Sequence, residues 1–272
     1  MHIIKLNLAR NCIKYLIRQY GIKEIFVPYY TCPVVWRAIR QEGCRIKFYH
    51  INSDFMPSVE FGKDDYILYT NYFGLCERNC RELSKKYKNL IVDNSHSYYS
   101  QPSGLASFNS LRKFFDVQNG AYLYTNAEPL ENLVTDSLDI GYVSPQNDYD
   151  SFCRNEKILD SQTEIKYISP AVENLISQIN FEQDRLTRCC IFKKYNEKFC
   201  GKNKIKLTLE DGEIPYCYPF SPTDIKSKNE LLKKGVTIIK LWEDMPFSSD
   251  ESTFLDDVAM LPLNIYSEIL LS

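Results

Sequence analysis

The first half of the chain alternates helix-like and strand-like patterns of apolar residues. In the first helix-like stretch the apolar side chains recur at near-helical spacing, and Gly21 follows it at the position where helix C-termini favour glycine. Thr31 is a predicted N-cap and Pro33 lies in the first turn of the next helix. The predicted elements are a helix over 7–20, a strand over 24–28, a helix over 31–42 and a strand over 45–51.

The same alternation continues to residue 93, with a strand over 65–72, a helix over 76–88 and a strand over 89–93. Strands that alternate with helices predict a mostly parallel sheet with right-handed crossovers. In such sheets ligands bind beyond the carboxyl ends of the strands. The pattern therefore directs attention to the loops that follow the predicted strands, at 27–31, 70–74 and 92–97.

The second half of the chain has a weaker pattern. Residues 140–163 are polar and weakly periodic, which predicts a linker or a surface excursion. We divide the chain into a large α/β domain over 1–165 and a smaller α+β domain over 166–272. The elements predicted for the smaller domain are a long helix over 170–199, strands over 204–209 and 214–220, a helix over 223–234 and a strand over 235–241.

Charge and hydropathy exclude two classes of partner. The 33 Lys and Arg residues nearly balance the 35 Asp and Glu residues, and the net charge is -2. Such a chain has no global field to hold a nucleic acid or an anionic membrane. No segment approaches the roughly 18 uninterrupted apolar residues that predict a membrane helix. We therefore expect neither nucleic acid nor a membrane as a partner.

The ten cysteines predict free thiols. No two of them form a C-x-x-C pair, and the chain has only three histidines that could help to bind a metal. Cys76 and Cys80 could pair or share a metal, yet no second half-site follows at zinc spacing. This usage predicts no metal site and a protein of the reducing cytoplasm.

Candidate chemistry follows the strand that ends at Asp93. His96 lies three residues after this carboxylate, and Lys113 lies farther on, between Arg112 and two phenylalanines. An apolar and cationic neighbourhood favours the neutral lysine amine, which is the form that attacks a carbonyl. Two other interpretations remain open, since Asp93 could cap the next turn and the Arg112-Lys113 pair could be solvated.

These residues form an ordered set that resembles a known family. Asp93-x-x-His96, then Ser110-x-Arg112-Lys113, then Asn119-Gly120 is similar to the pyridoxal-phosphate-dependent sugar aminotransferases of the DegT/StrS type. Further matches to the family, which extend the resemblance over nearly the whole chain, lie at 9–11, 27–32, 71–74 and 260–263. The resemblance implies the aspartate-aminotransferase (fold type I) architecture in a shortened form. In that fold a three-layer α/β/α domain with a mostly parallel sheet precedes a smaller C-terminal α+β domain.

The resemblance also implies roles for individual residues. Lys113 would be the catalytic residue, which forms an aldimine with pyridoxal 5'-phosphate and later moves the proton. Asp93 would pair with the pyridinium nitrogen, and His96 would reach the phenolic oxygen or lie against the ring. Ser110 and the backbone at Ala9 and Arg10, where a helix begins, would hold the phosphate.

Two further cofactor contacts are predicted from the same comparison. Many members of the family carry an aromatic residue that stacks on the cofactor where this chain has Cys32. Tyr30, Tyr72 or His96 would then take over the stacking. Asn71 lies at a strand-end turn that the family shares, and we count it with Tyr30 among the cofactor-binding residues.

The implied reaction is transamination in the biosynthesis of a surface glycan. An amino acid, expected to be glutamate, would supply the amino group, and a keto-sugar attached to a nucleotide would accept it. The family also implies a homodimer with active sites at the subunit interface. The alternative is a diverged member with weak or no catalysis that serves as a binding or partner protein.

Overall fold

The computed structural model describes residues 1–137, 149–236, 241–242 and 248–264. The strands are β1 His2–Leu6, β2 Glu24–Pro28, β3 Arg45–Tyr49, β4 Ile67–Thr70, β5 Leu90–Asn94, β6 Ala106–Asn109, β7 Ala121–Thr125, β8 Tyr218–Phe220 and β9 Ala259–Leu261. The α-helices are α1 Ala9–Tyr20, α2 Pro33–Gln41, α3 Glu77–Lys86, α4 Tyr149–Ser161, α5 Pro170–Ser177, α6 Phe181–Phe199, α7 Ile225–Lys233 and α8 Ser249–Leu255. Short 3₁₀ turns lie at Tyr72–Gly74, Leu111–Lys113 and Cys200–Lys202.

Seven strands form one sheet in the order β1-β7-β6-β5-β4-β2-β3. The neighbours from β3 to β6 pair in parallel, whereas β7 is antiparallel to both β6 and β1. The predicted mostly parallel α/β sheet is thus confirmed. Strands β8 and β9 form a separate antiparallel pair.

Alternate side chains of the central strands pack into two different cores. Leu68 and Ile91 pack with helices α1 and α2, whereas Tyr69 and Val92 face a second core. That second core includes side chains of α3 and of the C-terminal half, among them Phe192 from α6. Both faces of the sheet are therefore covered, as the uninterrupted burial of β4 and β5 requires. The result is a three-layer α/β/α arrangement.

The structure corrects several predicted elements. The linker expected over 140–163 contains helix α4, and the single helix expected over 170–199 is two helices, α5 and α6. Asn180 caps α6 by accepting a hydrogen bond from the Gln183 N–H, so a new helix starts there. The N-cap of α2 is Cys32 and not Thr31, whose hydroxyl lies 3.4 Å from that of Thr70.

The strands predicted for the C-terminal half are only partly present among the described residues, and β9 was not predicted. The segment 204–209 is not a strand, and of the segment 214–220 only the last three residues form β8. The helix expected over 223–234 is confirmed as α7. Most of the strand expected over 235–241 lies outside the described residues. Strands β1, β6 and β7 were not predicted as strands at all.

The thiols and the helices bear on two earlier expectations. Cys76 and Cys80 are both free and buried, so they do not form a disulfide with each other. Within the described part of the chain, every helix is too short or too polar to cross a bilayer.

Candidate active site

A cavity of about 180 Å³ opens at the carboxyl edge of the parallel sheet. Parallel strands end at the same edge, so the loops after β4, β5 and β6 meet there. Because β7 runs antiparallel, its first residues return to this edge, and Gly120 lines the cavity. Gly120 has a φ of 109°, a backbone conformation that residues other than glycine rarely adopt. The N-terminus of α1 and one residue of α4, Glu156, complete part of the wall.

Six of the eight residues predicted for the site line this one cavity, although they come from three separate parts of the chain. They are Ala9, Arg10, Asp93, His96, Ser110 and Lys113. Tyr30 and Asn71 are not among the lining residues. The topology therefore brings together most of the residues that the motifs singled out, and their roles remain predictions.

The amide and the carbonyl oxygen of the Asn71 side chain are both hydrogen-bonded within the protein. Its amide donates to Asn94 Oδ1 at 3.1 Å and to Ser100 Oγ at 3.2 Å, and its carbonyl oxygen accepts from the Cys76 N–H at 3.0 Å. These bonds join the ends of β4 and β5 to the start of α3. Asn71 thus shapes the wall of the cavity from behind.

Tyr30 is fully buried behind the cavity. Its ring stacks on Tyr72 with centroids 5.5 Å apart, and the edge of Trp242 packs against it at 4.6 Å. Trp242 itself lines the cavity. The sequence analysis did not select Trp242 for the site, because the residue lies more than a hundred positions from the motif residues that it contacts.

Asp93, at the end of β5, is a buried carboxylate. Its Oδ1 accepts the Ser95 N–H at 2.8 Å, so the side chain also caps the turn that follows. Burial raises the pKa of Asp93, while the Ser95 bond and the positive charge of Lys113 act in the opposite direction. Keeping this buried carboxylate ionised therefore lowers the free energy of unfolding. Asp93 also lines the cavity.

We expect Asp93→Asn to stabilise the protein at neutral pH by about 1–3 kcal/mol, the usual cost of an incompletely compensated buried polar group. Asparagine keeps an oxygen for the Ser95 N–H and carries no charge. A folded-state pKa above the unfolded value means that the native state binds the proton more tightly. The gain should therefore be largest at neutral pH and disappear below about pH 3, where aspartate is protonated in both states.

Thermal unfolding of the ligand-free protein at several pH values measures this effect. Asp64→Asn is the matched control, because Asp64 is exposed, pairs with Lys88 and has a lowered pKa. That substitution should give no gain at pH 7. A destabilised Asp93→Asn protein at pH 7 would contradict our account of this carboxylate.

His96 lies in a stack of aromatic rings. Its ring is nearly parallel to Tyr216 at 4.8 Å and to Trp242 at 6.0 Å, with interplanar angles of 10° and 14°. Burial lowers the pKa of His96, and the charge of Lys113 lowers it further, so the ring is neutral at pH 7. Its Nδ1 is buried and has no hydrogen-bond partner among the described residues. A buried, unpaired nitrogen beside a cavity is a polar group that a ligand can satisfy.

Lys113 ends the 3₁₀ turn between β6 and β7 and is half-buried at the cavity wall. Burial is the main cause that lowers the pKa of its amine; Arg112 lowers it as well, and the charges of Asp93 and Glu156 oppose the shift. No hydrogen bond or salt bridge from the described residues holds the amine. The structure thus places Lys113 in the cavity, where its neutral form is favoured, and not on a solvated surface.

The N-terminus of α1 gives the cavity a site that favours negative charge. Leu8 is the N-cap and provides no side-chain hydrogen bond, and both Leu8 and Ala9 line the cavity. The backbone N–H groups of this first turn and the helix dipole favour an anion. The Ser110 hydroxyl group lies on the same cavity. An anionic group therefore finds donors at one end and Lys113 at the other.

Glu156 is the site residue that sequence reasoning missed. It lies on α4, in the segment predicted as a linker, and its carboxylate accepts two hydrogen bonds from the Arg112 guanidinium. One turn later on the same helix, Asp160 accepts from Arg10 at 2.6 Å and from Arg37 at 3.2 Å. The only available signal was the i, i+4 spacing of two acids in a polar segment, which is common on solvated helices.

Comparison with known proteins identifies the fold. No protein-family model and no curated protein sequence matches the chain. A DegT DnrJ EryC1 StrS aminotransferase from Brucella abortus is 13% identical, with a TM-score of 0.64 over 100% of this chain and 84% of that one. The aminotransferase TlmJ from Streptoalloteichus hindustanus is 14% identical, with a TM-score of 0.64 over 99% and 83%.

A third similar structure is the sugar aminotransferase CalS13 from Micromonospora echinospora. It is 11% identical, with a TM-score of 0.61 over 99% of this chain and 85% of that one. At these identities the similarity establishes the fold. The three-dimensional arrangement is that of the aminotransferases which the motifs of the sequence resemble.

Proposed function

We propose that this protein is a pyridoxal-phosphate-dependent aminotransferase that acts on a sugar. The observation that carries the proposal is the convergence of Lys113, Asp93 and His96 on one cavity at the carboxyl edge of the sheet. The fold is shared with sugar aminotransferases, so this convergence occurs in a scaffold that already supports the reaction in other proteins. Fold alone would not support a function, and the site residues supply the chemical argument.

The residues present fit pyridoxal phosphate. The first turn of α1 and Ser110 would hold the phosphate, and Asp93 would pair with the ring nitrogen. His96 would satisfy its buried Nδ1 with the cofactor, and Lys113 would attach the cofactor through its amine. When bound, pyridoxal phosphate supplies an electron sink for the carbon that loses its proton.

The protein's own groups then carry out three tasks. Asp93 carries its negative charge in a buried place, where it would stabilise a protonated ring nitrogen more strongly than it would in water. Lys113, with its lowered pKa, would carry a proton to and from the substrate carbon at neutral pH. Trp242 covers part of the cavity and limits the entry of water.

The finer features of the proposal follow from the family resemblance and the structural neighbours. We propose glutamate as the amino donor and a keto-sugar attached to a nucleotide as the acceptor, in the biosynthesis of a surface glycan. We also propose a cytoplasmic homodimer with active sites at its interface, and a division into domains at residues 1–165 and 166–272. The support for the sugar substrate is that neighbours of this fold are described as sugar aminotransferases.

Trapping the cofactor on the protein tests the proposal. Protein incubated with pyridoxal phosphate should turn yellow, because a lysine-bound cofactor absorbs visible light, and glutamate should bleach this colour. In a separate sample without glutamate, borohydride should fix the cofactor on the peptide that contains Lys113, as mass spectrometry would show. Lys88 is exposed and lies at the amino end of β5, so its peptide is the internal control. A protein that stays colourless, or label spread over surface lysines, would overturn the proposal.

A further inference from the structure

The Arg112 guanidinium forms a binding site for a carboxylate, and the Glu156 carboxylate of the same chain occupies this site. Both Glu156 oxygens accept hydrogen bonds from it, the second from Nη2 at 2.6 Å. Arg112 and Glu156 are both partly buried, with 17% and 34% of their side chains exposed, and both line the cavity of Lys113. A planar guanidinium in a two-point contact with a carboxylate is the geometry by which proteins recognise carboxylate ligands.

The charges of the cavity indicate why a ligand would replace Glu156. Arg10, Arg112 and Lys113 bring positive charge to its lining, against the carboxylates of Asp93 and Glu156. Moving Glu156 away would leave Arg112 unpaired beside Lys113. The cavity would then favour a small anion, and a carboxylate brought in by a ligand would restore the balance.

A second set of ion pairs holds α4 in place independently of Glu156. Asp160 bridges Arg10 and Arg37 one helical turn after Glu156, and 36% of its side chain is exposed. Leu159, between them in sequence, is buried. The helix therefore stays docked by other contacts when Glu156 alone gives up its partner, so the exchange requires a side-chain movement only.

We propose that Arg112 binds a carboxylate of the amino donor, and that Glu156 occupies this place in the ligand-free protein. This inference rests on the proposed function, which supplies the amino acid substrate. Arg112 directly precedes Lys113, so a carboxylate bound there brings the attached amino group to the wall that carries the lysine. Arg112 would thus select the donor, and Glu156 would exclude weaker anions.

The shared chemistry leaves one competing ligand, the phosphate of the cofactor. The first turn of α1 and Ser110 already offer donors to a phosphate, whereas Arg112 is engaged by a carboxylate. We therefore assign Arg112 to the carboxylate of the substrate. If Arg112 binds the substrate carboxylate, substituting it lowers the affinity for glutarate. If Arg112 binds the cofactor phosphate, substituting it lowers the affinity for pyridoxal phosphate.

Calorimetric titration with glutarate, a dicarboxylate without an amino group, tests the inference on protein loaded with pyridoxal phosphate and on protein without it. Glu156→Gln should tighten glutarate binding by about fivefold, because it removes the internal competitor. Arg112→Gln should weaken it by about 10- to 100-fold, the value of charge-assisted hydrogen bonds. Arg112→Lys should bind glutarate with an affinity between those of the unmodified protein and Arg112→Gln, since an ammonium cannot make the two-point contact of a guanidinium.

The control is Asp160→Asn, which breaks the neighbouring ion pairs on the same helix and leaves Arg112 untouched. It should leave glutarate affinity within about twofold of the unmodified protein. An equal gain from Asp160→Asn and Glu156→Gln would mean that loosening of α4 or release of Arg10, and not release of Arg112, admits the ligand, and would overturn the assignment.

Two further outcomes separate this inference from the proposed function. If Arg112→Gln lowers affinity for pyridoxal phosphate and leaves glutarate binding unchanged, Arg112 is a phosphate ligand and the inference fails while the function stands. If glutarate binding follows the expected order in a protein that never traps the cofactor on Lys113, the carboxylate site stands and the function fails. The double variant Arg112→Gln/Glu156→Gln keeps the pair neutral and leaves no unpaired Glu156 carboxylate, and it should still bind glutarate more weakly than the unmodified protein.

Discussion

Replacing Lys113 by alanine is expected to lower transaminase turnover by about 10³- to 10⁶-fold, the range of losses on removal of a nucleophile that also moves a proton. Lys113 is the one lysine among the described residues that lines the cavity. Its amine makes no hydrogen bond or salt bridge with them, and burial disfavours its charge. The substitution should therefore leave the fold and its stability nearly unchanged.

Turnover is measured with glutamate and a nucleotide-linked keto-sugar, beside the visible absorbance of the bound cofactor. Lys113→Arg keeps a positive charge but no nucleophilic amine, so it should be as inactive as the alanine variant. Added methylamine, which fits the space left by the side chain, should restore part of the turnover in Lys113→Ala only. Lys88→Ala, at the opposite edge of the sheet, should retain full turnover. A Lys113→Ala protein with more than about a tenth of normal turnover would assign the chemistry to another group.

Most of the parallel part of the sheet could be predicted, β6 being the exception, because the other elements there have a simple period. Strands β2, β4 and β5 are short apolar runs, and α1 and α3 have an apolar face that repeats at helical spacing. Once strands and helices alternate, the handedness of the crossovers leaves few arrangements. The rule that ligands bind at the carboxyl ends then locates Asp93 and His96 without any structure.

The antiparallel edge of the sheet could not be predicted from local patterns. Strand β1 has three exposed residues out of five, and β7 alternates buried and half-buried positions. Their pairing joins residues at least 115 positions apart, for example Ile4 with Leu123. Such a pair is stabilised by contacts that no window of neighbouring residues contains. Lys113 nevertheless depends on this pairing, since its turn lies between β6 and β7.

The partners of the site residues were the least predictable feature. Glu156 is 44 positions from Arg112, and Trp242 is 146 positions from His96. Motifs record residues that are close in sequence, whereas these contacts arise from the packing of α4 and the C-terminal half against the cavity. The residue types were visible in the sequence, and their proximity was not.

A buried arginine on α6 shows how this packing supports the site. Arg188 donates to Asp184 at 2.8 Å and to the backbone carbonyls of Tyr216 at 3.1 Å and Phe114 at 3.2 Å. Its guanidinium also lies 4.6 Å from the centre of the Phe114 ring. Phe114 follows Lys113, and Tyr216 stacks on His96. One side chain thus fixes the backbone beside two residues of the proposed active site.

We expect Arg188→Leu to lower the free energy of unfolding by about 3–5 kcal/mol, the usual cost of removing one partner of a buried ion pair. Leucine fills most of the space but leaves two backbone carbonyls without their donor and the Asp184 carboxylate with the Tyr99 hydroxyl in place of both donors. Arg185→Leu is the matched control, because Arg185 lies on the same helix with 47% of its side chain exposed, a 3.9 Å contact with Glu182 and a 5.7 Å contact with the Tyr99 ring. It should change stability by no more than about 0.5 kcal/mol. Urea unfolding of both variants, at unchanged m value, measures the difference. An Arg188→Leu protein as stable as Arg185→Leu would show that water or rearranged side chains replace the guanidinium, and that the backbone at Phe114 and Tyr216 is fixed by other contacts.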